Sequence, residues 1–360
     1  MQDISSQVPL LRVLDAAGNR AREGMRVAED YARFVLDDRH LTERLKTLRH
    51  ALAEALTAVP RSHRLAARET QHDVGTGLNA PTEFVRSDAR AVLAAALART
   101  QEGLRSLEEY GKVLCPDLGK RFEQLRYQTY TLERAIEATQ EGLARLKKAR
   151  LYVLIGGCAS EDQMAERAAE LVQAGADVLQ FRDKGLSDRE LLSRARRLRE
   201  VTQGTATLFV LNDRPDLAVL CRADGVHVGQ DELTVKDTRT IVGPRCLVGV
   251  STHSIEQARQ AVLDGANYIG VGPTFPSTTK PFAAFPGTAL LAAVAAEIGL
   301  PAFAIGGINE DNLEAVLATG IGRVAVSGAV CAAADHMAAA RRLKERLTQA
   351  AGQPSGRAHE

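Results

Sequence analysis

Two rhythms of apolar and polar positions divide the chain near residue 148. Before it, apolar residues recur every three or four positions among Ala, Leu, Arg and Glu, the spacing of one helix face, with few β-branched runs. That pattern predicts an all-α helical domain over 1–148. After it, short runs of Val, Ile and Leu alternate with amphipathic stretches. Eight runs read as strands: "LYVLIG", "DVLQFRDK", "TLFVLND", "DGVHVG", "CLVGVS", "NYIGVG", "PAFAIGG" and "RVAVSGA". Near-continuous apolar strands imply a parallel sheet covered on both faces, and eight βα units close a (β/α)8 TIM barrel, here over 149–348. A doubly wound open sheet is the alternative. It is disfavoured because "GGCAS" after the first run lacks a dinucleotide-binding glycine pattern. The end of the chain, 349–360, is expected to be a disordered tail.

Within the helical half, "REGMRVAEDYAR" (22–33) is echoed by "QEGLRSLEEYGK" (101–112), with Glu23/Glu102, Gly24/Gly103, Arg26/Arg105, Glu29/Glu108 and Tyr31/Tyr110 in register. A duplicated helical hairpin follows. Arg26 and Arg105 each precede an acid by four residues, Asp30 and Glu109, a spacing that pairs side chains across one turn on a solvated surface. "HDVGTGLNAP" (72–81) reads as the connector between the copies, and Pro116 as the start of a last long helix running towards Leu146.

Composition changes the picture little. A formal net charge of +1 over 360 residues provides no global field for nucleic acid, so any anion binding is local. Five scattered cysteines without a C-x-x-C pair argue against disulfides or structural zinc and fit a reducing cytoplasm. No leader-like N-terminus and no long apolar run is present, so neither export nor a membrane partner is expected.

Candidate chemistry gathers at the C-terminal ends of the strands, where such barrels place their sites. Run two ends in Gln180, Arg182 and Lys184, which alternate with Phe181 and Asp183 and so share one face of an extended strand. Run three ends in Asn212, Asp213 and Arg214, run four in Gln230, Asp231 and Glu232, and run five in Ser251, Thr252 and His253. Cations facing carboxylates suit a polyphosphate with magnesium, which takes one or two carboxylates and fills its shell with water and phosphate oxygens. Asp213 with Asp231 or Glu232 supplies them. The loop "GPTFPSTTKPFAAFP" (272–286), with Ser277, Thr278, Thr279 and Lys280, reads as a lid over anionic ligands. Glycines in "GGI" and "SGAV" after runs seven and eight point to a second, monophosphate site. His227, inside a strand, reads as a hydrogen-bonded core residue, and His253 as a loop residue without a catalytic role.

These motifs, "QFRDK", "ND", "GVHVGQDE", "GVSTH", "STTK", "AIGGI" and "VAVSGA" in order, resemble the thiamine phosphate synthase family over about 151–340. The resemblance implies a barrel enzyme that joins hydroxymethylpyrimidine diphosphate to hydroxyethylthiazole phosphate, or its carboxylated form, releasing pyrophosphate by a dissociative path with Mg2+. It assigns the pyrimidine diphosphate to Gln180, Phe181, Arg182, Asp183, Lys184, Asn212 and Ser251, and the leaving pyrophosphate to Lys280. The thiazole phosphate falls to Ser277, Thr278, Thr279, Gly307, Val326 and Ser327. Arg182, Lys184, Lys280 and Ser251 carry the catalytic assignment. Two departures stand out. The family's usual metal aspartate is Glu232 here, preceded by Asp231, and Asp183 replaces a glutamate but faces away from the cations. Small-molecule substrates are thus the implied partners, with no nucleic acid, and a homo-oligomer is left open. A thiazole tautomerase or a non-enzymatic binding module are the competing readings, and the helical half is left without a role.

Overall fold

The computed structural model describes residues 4–74, 85–276 and 285–352. It divides into two compact units, 1–136 and 137–360. The first is built from α1 (Ile4–Phe34), α2 (Arg39–Ala55), α3 (Arg61–Ala67), α4 (Ala89–Leu114) and the greater part of α5 (Pro116–Arg145). Asp38 and Asp88 accept from the backbone N–H three residues on, at 2.7 and 2.8 Å, satisfying donors that the first turns of α2 and α4 leave open. α1 and α4 pack on each other, and Leu14 and Met25 on α1 and Leu93 and Leu104 on α4 are fully buried. The repeat explains how closely they approach. A Cβ at Gly24 would stand 2.4 Å from the Ala96 carbonyl oxygen, and one at Gly103 2.9 Å from that of Ala17.

Each repeat also buries one carboxylate against the helix that follows it. Glu29 accepts from Arg49 at 2.8 Å and Arg26 at 3.3 Å, while Glu108 accepts from Arg126 at 2.9 Å and Arg105 at 2.7 Å. The expected turn-spanning pairs are present, Arg26–Asp30 at 3.3 Å and Arg105–Glu109 at 2.9 Å. The matched acids that hold the hairpins are nonetheless Glu29 and Glu108, whose burial no helical spacing announces. The connector read at 72–81 falls mostly outside the described residues.

The second unit is a closed parallel barrel of β1 (Leu151–Ile155), β2 (Val178–Phe181), β3 (Leu208–Asn212), β4 (Gly225–Val228), β5 (Leu247–Thr252), β6 (Tyr268–Val271), β7 (Ala302–Ile305) and β8 (Val324–Val326), with β8 pairing back onto β1. Between strands lie α6 (Glu161–Gln173), α7 (Asp188–Thr202), α8 (Pro215–Leu220), α9 (Val235–Val242), α10 (Ile255–Asp264), α11 (Gly287–Glu297) and α12 (Leu313–Leu317). α13 (Gly328–Cys331) and α14 (His336–Gly352) follow β8. Ser160, Ser187, Thr234 and Ser254 cap α6, α7, α9 and α10, which marks where each loop ends. Inside, Tyr152, Val178, Val210, Leu247, Tyr268, Phe303 and Ala325 form one apolar layer, closed below by Leu146 and Ala149.

Two sequence boundaries shift. The units divide between Ile136 and Glu137, within α5, rather than at 148, because the final turns of that helix pack on the barrel: Asn267 donates to the Ala138 carbonyl at 3.1 Å. Of the stretch 349–360 expected to be a disordered tail, 349–352 instead belong to α14, which continues to Gly352, and 353–360 lie outside the described residues. Among the described residues, no helix is long and apolar enough to cross a membrane.

Candidate active site

Strand alternation turns the apolar layer into a polar one a single step further up. Two residues beyond Val178, Val210 and Leu247 stand Gln180, Asn212 and Gly249; beyond Tyr268 stands Gly270, and beyond Gly225 stands His227. One more step brings Arg182 and Ser251 to the rim. β2 itself stops at Phe181, with the Arg182 N–H donating to the Ile155 carbonyl at 2.9 Å as its last ladder bond. Arg182, Asp183 and Lys184 are therefore loop residues rather than strand residues. Asp183 explains the turn: its carboxylate accepts the Gly157 and Gly185 N–H groups, each at 3.1 Å, so it shapes the loop and faces away from the cations. Phe181, grouped with the diphosphate residues in the sequence, has its side chain fully buried on the opposite strand face from Gln180.

At the rim, three strand ends converge on one ammonium group. Lys184 Nζ lies 3.0 Å from Asp213 Oδ2 and 3.2 Å from Glu232 Oε1, and these partners raise its pKa. Of the two acids weighed after run four, Glu232 joins this cluster, while Asp231 is exposed and makes no ion pair among the described residues. Asp213 takes a positive φ of 61°, a costly conformation for a residue with a Cβ, held by its N–H donating to the His227 carbonyl at 2.8 Å. Half-buried Arg182 has no side-chain hydrogen bond or ion pair among the described residues. Arg214 behaves differently: Asp188 and Asp216 hold its guanidinium, which accounts for one rim cation without any ligand.

Below the rim runs a network that spacing did not reveal. Gln180 donates to the Tyr152 hydroxyl at 2.8 Å, which lies 3.1 Å from that of Tyr268. Tyr268 Oη is 3.3 Å from His227 Nδ1, and His227 Nε2 is 3.0 Å from Ser251 Oγ. Burial pushes the His227 pKa down to about 4 and raises both tyrosines, so all three are neutral near pH 7. Space for the Tyr268 ring comes from Gly249, where a Cβ would sit 2.0 Å from the ring. A tyrosine at an inward strand position opposite a glycine was the available signal.

On the other side of the rim, adjacent strands β7 and β8 present Gly307, with a φ of 63°, Val326 and Ser327. The Ser327 hydroxyl donates to the Leu154 carbonyl at 3.2 Å. The loop after β6 is pinned to β7 through Thr274 and Phe275, whose N–H groups donate to Ile305 and Gly306. Ser277, Thr278, Thr279 and Lys280 lie outside the described residues. His253 bonds the Gly272 carbonyl, in keeping with a loop-bracing role. A cleft of about 410 Å³ between α9 and α10 reaches the rim through Gly229, Gln230 and Glu232, but lies outside the barrel.

A closed (β/α)8 barrel with charged and amide groups at its strand C-termini belongs to the class of barrel enzymes that act on small molecules at that face. Residues 151–330 match the thiamine monophosphate synthase family model, and residues 12–135 match the ThiD2 family. The chain is 48% identical over 330 residues to a thiamine-phosphate synthase of Rhodopirellula baltica, covering 89% of this chain and 88% of that one. With one of Gloeobacter violaceus it shares 43% over 336 residues, covering 93% and 96%. Coverage of that extent includes the helical half. A solved thiamine phosphate pyrophosphorylase from Pyrococcus furiosus superposes with a TM-score of 0.53 and 32% identity, over 58% of this chain and all of that one. The chain belongs to the thiamine monophosphate synthase family, transferases of thiamine biosynthesis.

Proposed function

We propose that this chain joins 4-amino-2-methyl-5-hydroxymethylpyrimidine diphosphate to hydroxyethylthiazole phosphate, or its carboxylated form, giving thiamine monophosphate and pyrophosphate. The observation that carries the reading is the gathering of Arg182, Lys184, Asn212 and Ser251 at one end of the strands, above buried Gln180, with Arg182 making no side-chain hydrogen bond or ion pair among the described residues. The carbon–oxygen bond to the diphosphate breaks with its electron pair leaving on pyrophosphate. The thiazole nitrogen then donates its lone pair to the pyrimidine methylene carbon. Such a step needs charge stabilisation of the leaving group more than a general base, and guanidinium and ammonium groups fixed at the rim provide it. Lys280 adds a further cation in this reading, while Ser277, Thr278, Thr279, Gly307, Val326 and Ser327 hold the thiazole phosphate.

The acids fit magnesium. Asp213 and Glu232 already share one cation, the Lys184 ammonium, which stands in for a metal between them, and two carboxylates are what magnesium draws from a protein. Asp213 and Glu232 would hold the ion, with Asp231 the alternative. When bound, it neutralises charge on the diphosphate. The test is thiamine phosphate formation from the two purified substrates with and without magnesium. Turnover that falls at least a hundredfold in Arg182→Ala supports the reading; a folded protein without turnover overturns it.

A further inference from the structure

The mechanism above makes no use of Tyr152, Tyr268 or His227, yet all three are buried and bonded in series between Gln180 and Ser251. Each hydroxyl and a neutral imidazole has one proton to give, so the direction chosen at one end propagates to the other. Gln180 Nε2 donates to Tyr152. Tyr152 then has its proton for Tyr268, and Tyr268 has its proton for His227 Nδ1. The imidazole proton must therefore sit on Nε2 and point at Ser251 Oγ. Ser251 accepts from within and keeps its own proton for a partner outside the chain.

We propose that this relay sets the polarity of the site: Ser251 is held as a donor towards an anionic group of the substrate, and Gln180 Oε1 as an acceptor towards an amino group. Tyr152, Tyr268 and His227 are positioning residues that act through those two ends. The inference deepens the synthase reading and rests on it for the identity of the substrate. Running the chain backwards would require the protons of Tyr152, Tyr268 and His227 to reverse direction and the Gln180 amide to rotate, so the ends cannot change role independently. A ligand lacking the amino group leaves Oε1 without a donor, and one lacking the anion leaves the Ser251 proton without an acceptor. Recognition of an amino heterocycle carrying a diphosphate thus follows from one buried chain, and a deaminated analogue is rejected at the Gln180 end.

The test uses the full chain labelled with 15N at histidine, with imidazole resonances assigned by His227→Gln. The parent is expected to show His227 protonated on Nε2. Tyr268→Phe keeps the ring under Gly249, removes the donor to Nδ1, and should abolish that tautomer preference. It should also raise KM for the pyrimidine diphosphate by about tenfold while leaving KM for the thiazole phosphate unchanged. Tyr152→Phe, one link further away, should weaken the preference in the same direction and serves if the first variant fails to fold. A purely structural hydroxyl would lower Tm in both variants without moving the tautomer or separating the two KM values. An Nδ1-protonated parent, or a tautomer and KM indifferent to both variants, overturns the proposal. An Nε2-protonated parent that makes no thiamine phosphate leaves the relay standing and rejects the synthase reading.

Discussion

The two units bury polar groups in opposite ways. In the helical unit the matched clusters are charged and closed: Glu29 and Glu108 each sit among arginines, with Glu108 and Arg126 largely sealed from solvent and mutually satisfied. In the barrel the buried groups are neutral and open: a hydrogen-bonded chain ends at Ser251, and Arg182 stands above it without a partner among the described residues. Closed charge clusters hold helices in register, because removing either partner strands a charge in a medium that solvates it poorly. Open chains end in unused capacity, which is what a ligand meets. A third pattern lies between them. In the helical unit, Arg20, Glu23, Arg99 and Glu102 line a cleft of about 460 Å³ and make no ion pair among the described residues, although Arg26–Glu29 and Arg105–Glu108 pair at the same spacing.

The sharpest way to break this contrast is to open a closed cluster. Glu108→Gln should destabilise the helical unit by about 3–5 kcal/mol in urea unfolding followed by circular dichroism. Glu29→Gln should cost less, since Arg49 is 21% exposed against 10% for Arg126. Equal effects would remove burial as the reason. At the open end, Arg182→Ala should lower kcat/KM by about 10²–10³ with an unchanged Tm, because no group among the described residues loses a partner.

A neutral buried histidine has a pH signature that a closed ion pair lacks. His227 resists protonation until about pH 4, whereas an unfolded imidazole takes its proton near 6.5, so the unfolded chain binds more protons between these values. Its contribution is complete above about pH 6.5 and is lost as pH falls towards 4, by up to about 3 kcal/mol. Urea midpoints for the parent and His227→Gln should diverge across that window and run parallel above it. In the helical unit, Gly24→Ala should cost about 1–3 kcal/mol, because its Cβ meets Thr100 Oγ1 at 2.3 Å and backbone at 2.4 Å. Smallest of all, Arg214→Ala should change stability by less than about 1 kcal/mol and leave turnover within about twofold, its partners being exposed acids. A large loss of turnover there would mean that a closed surface cluster also serves the site.

Much of this was legible in the chain itself. Strand runs stood out because a sheet covered on both faces demands unbroken apolar stretches, and Gln180 with Arg182 could be placed on one face from the two-residue period alone. The echo of "REGMRVAEDYAR" announced the paired hairpins. Period alone could not show that β2 stops at Phe181, where Asp183 accepts one N–H from its own loop, that of Gly185, and one from the loop after β1, that of Gly157. Nor could it show Lys184 between Asp213 and Glu232, or Tyr268 joining Tyr152 to His227 across separations of 116 and 41 residues. Local pattern determines which face a side chain occupies, since that is a property of backbone geometry over a few residues. Which side chains then meet was decided by barrel closure, which brings strand ends distant in sequence to within hydrogen-bonding reach.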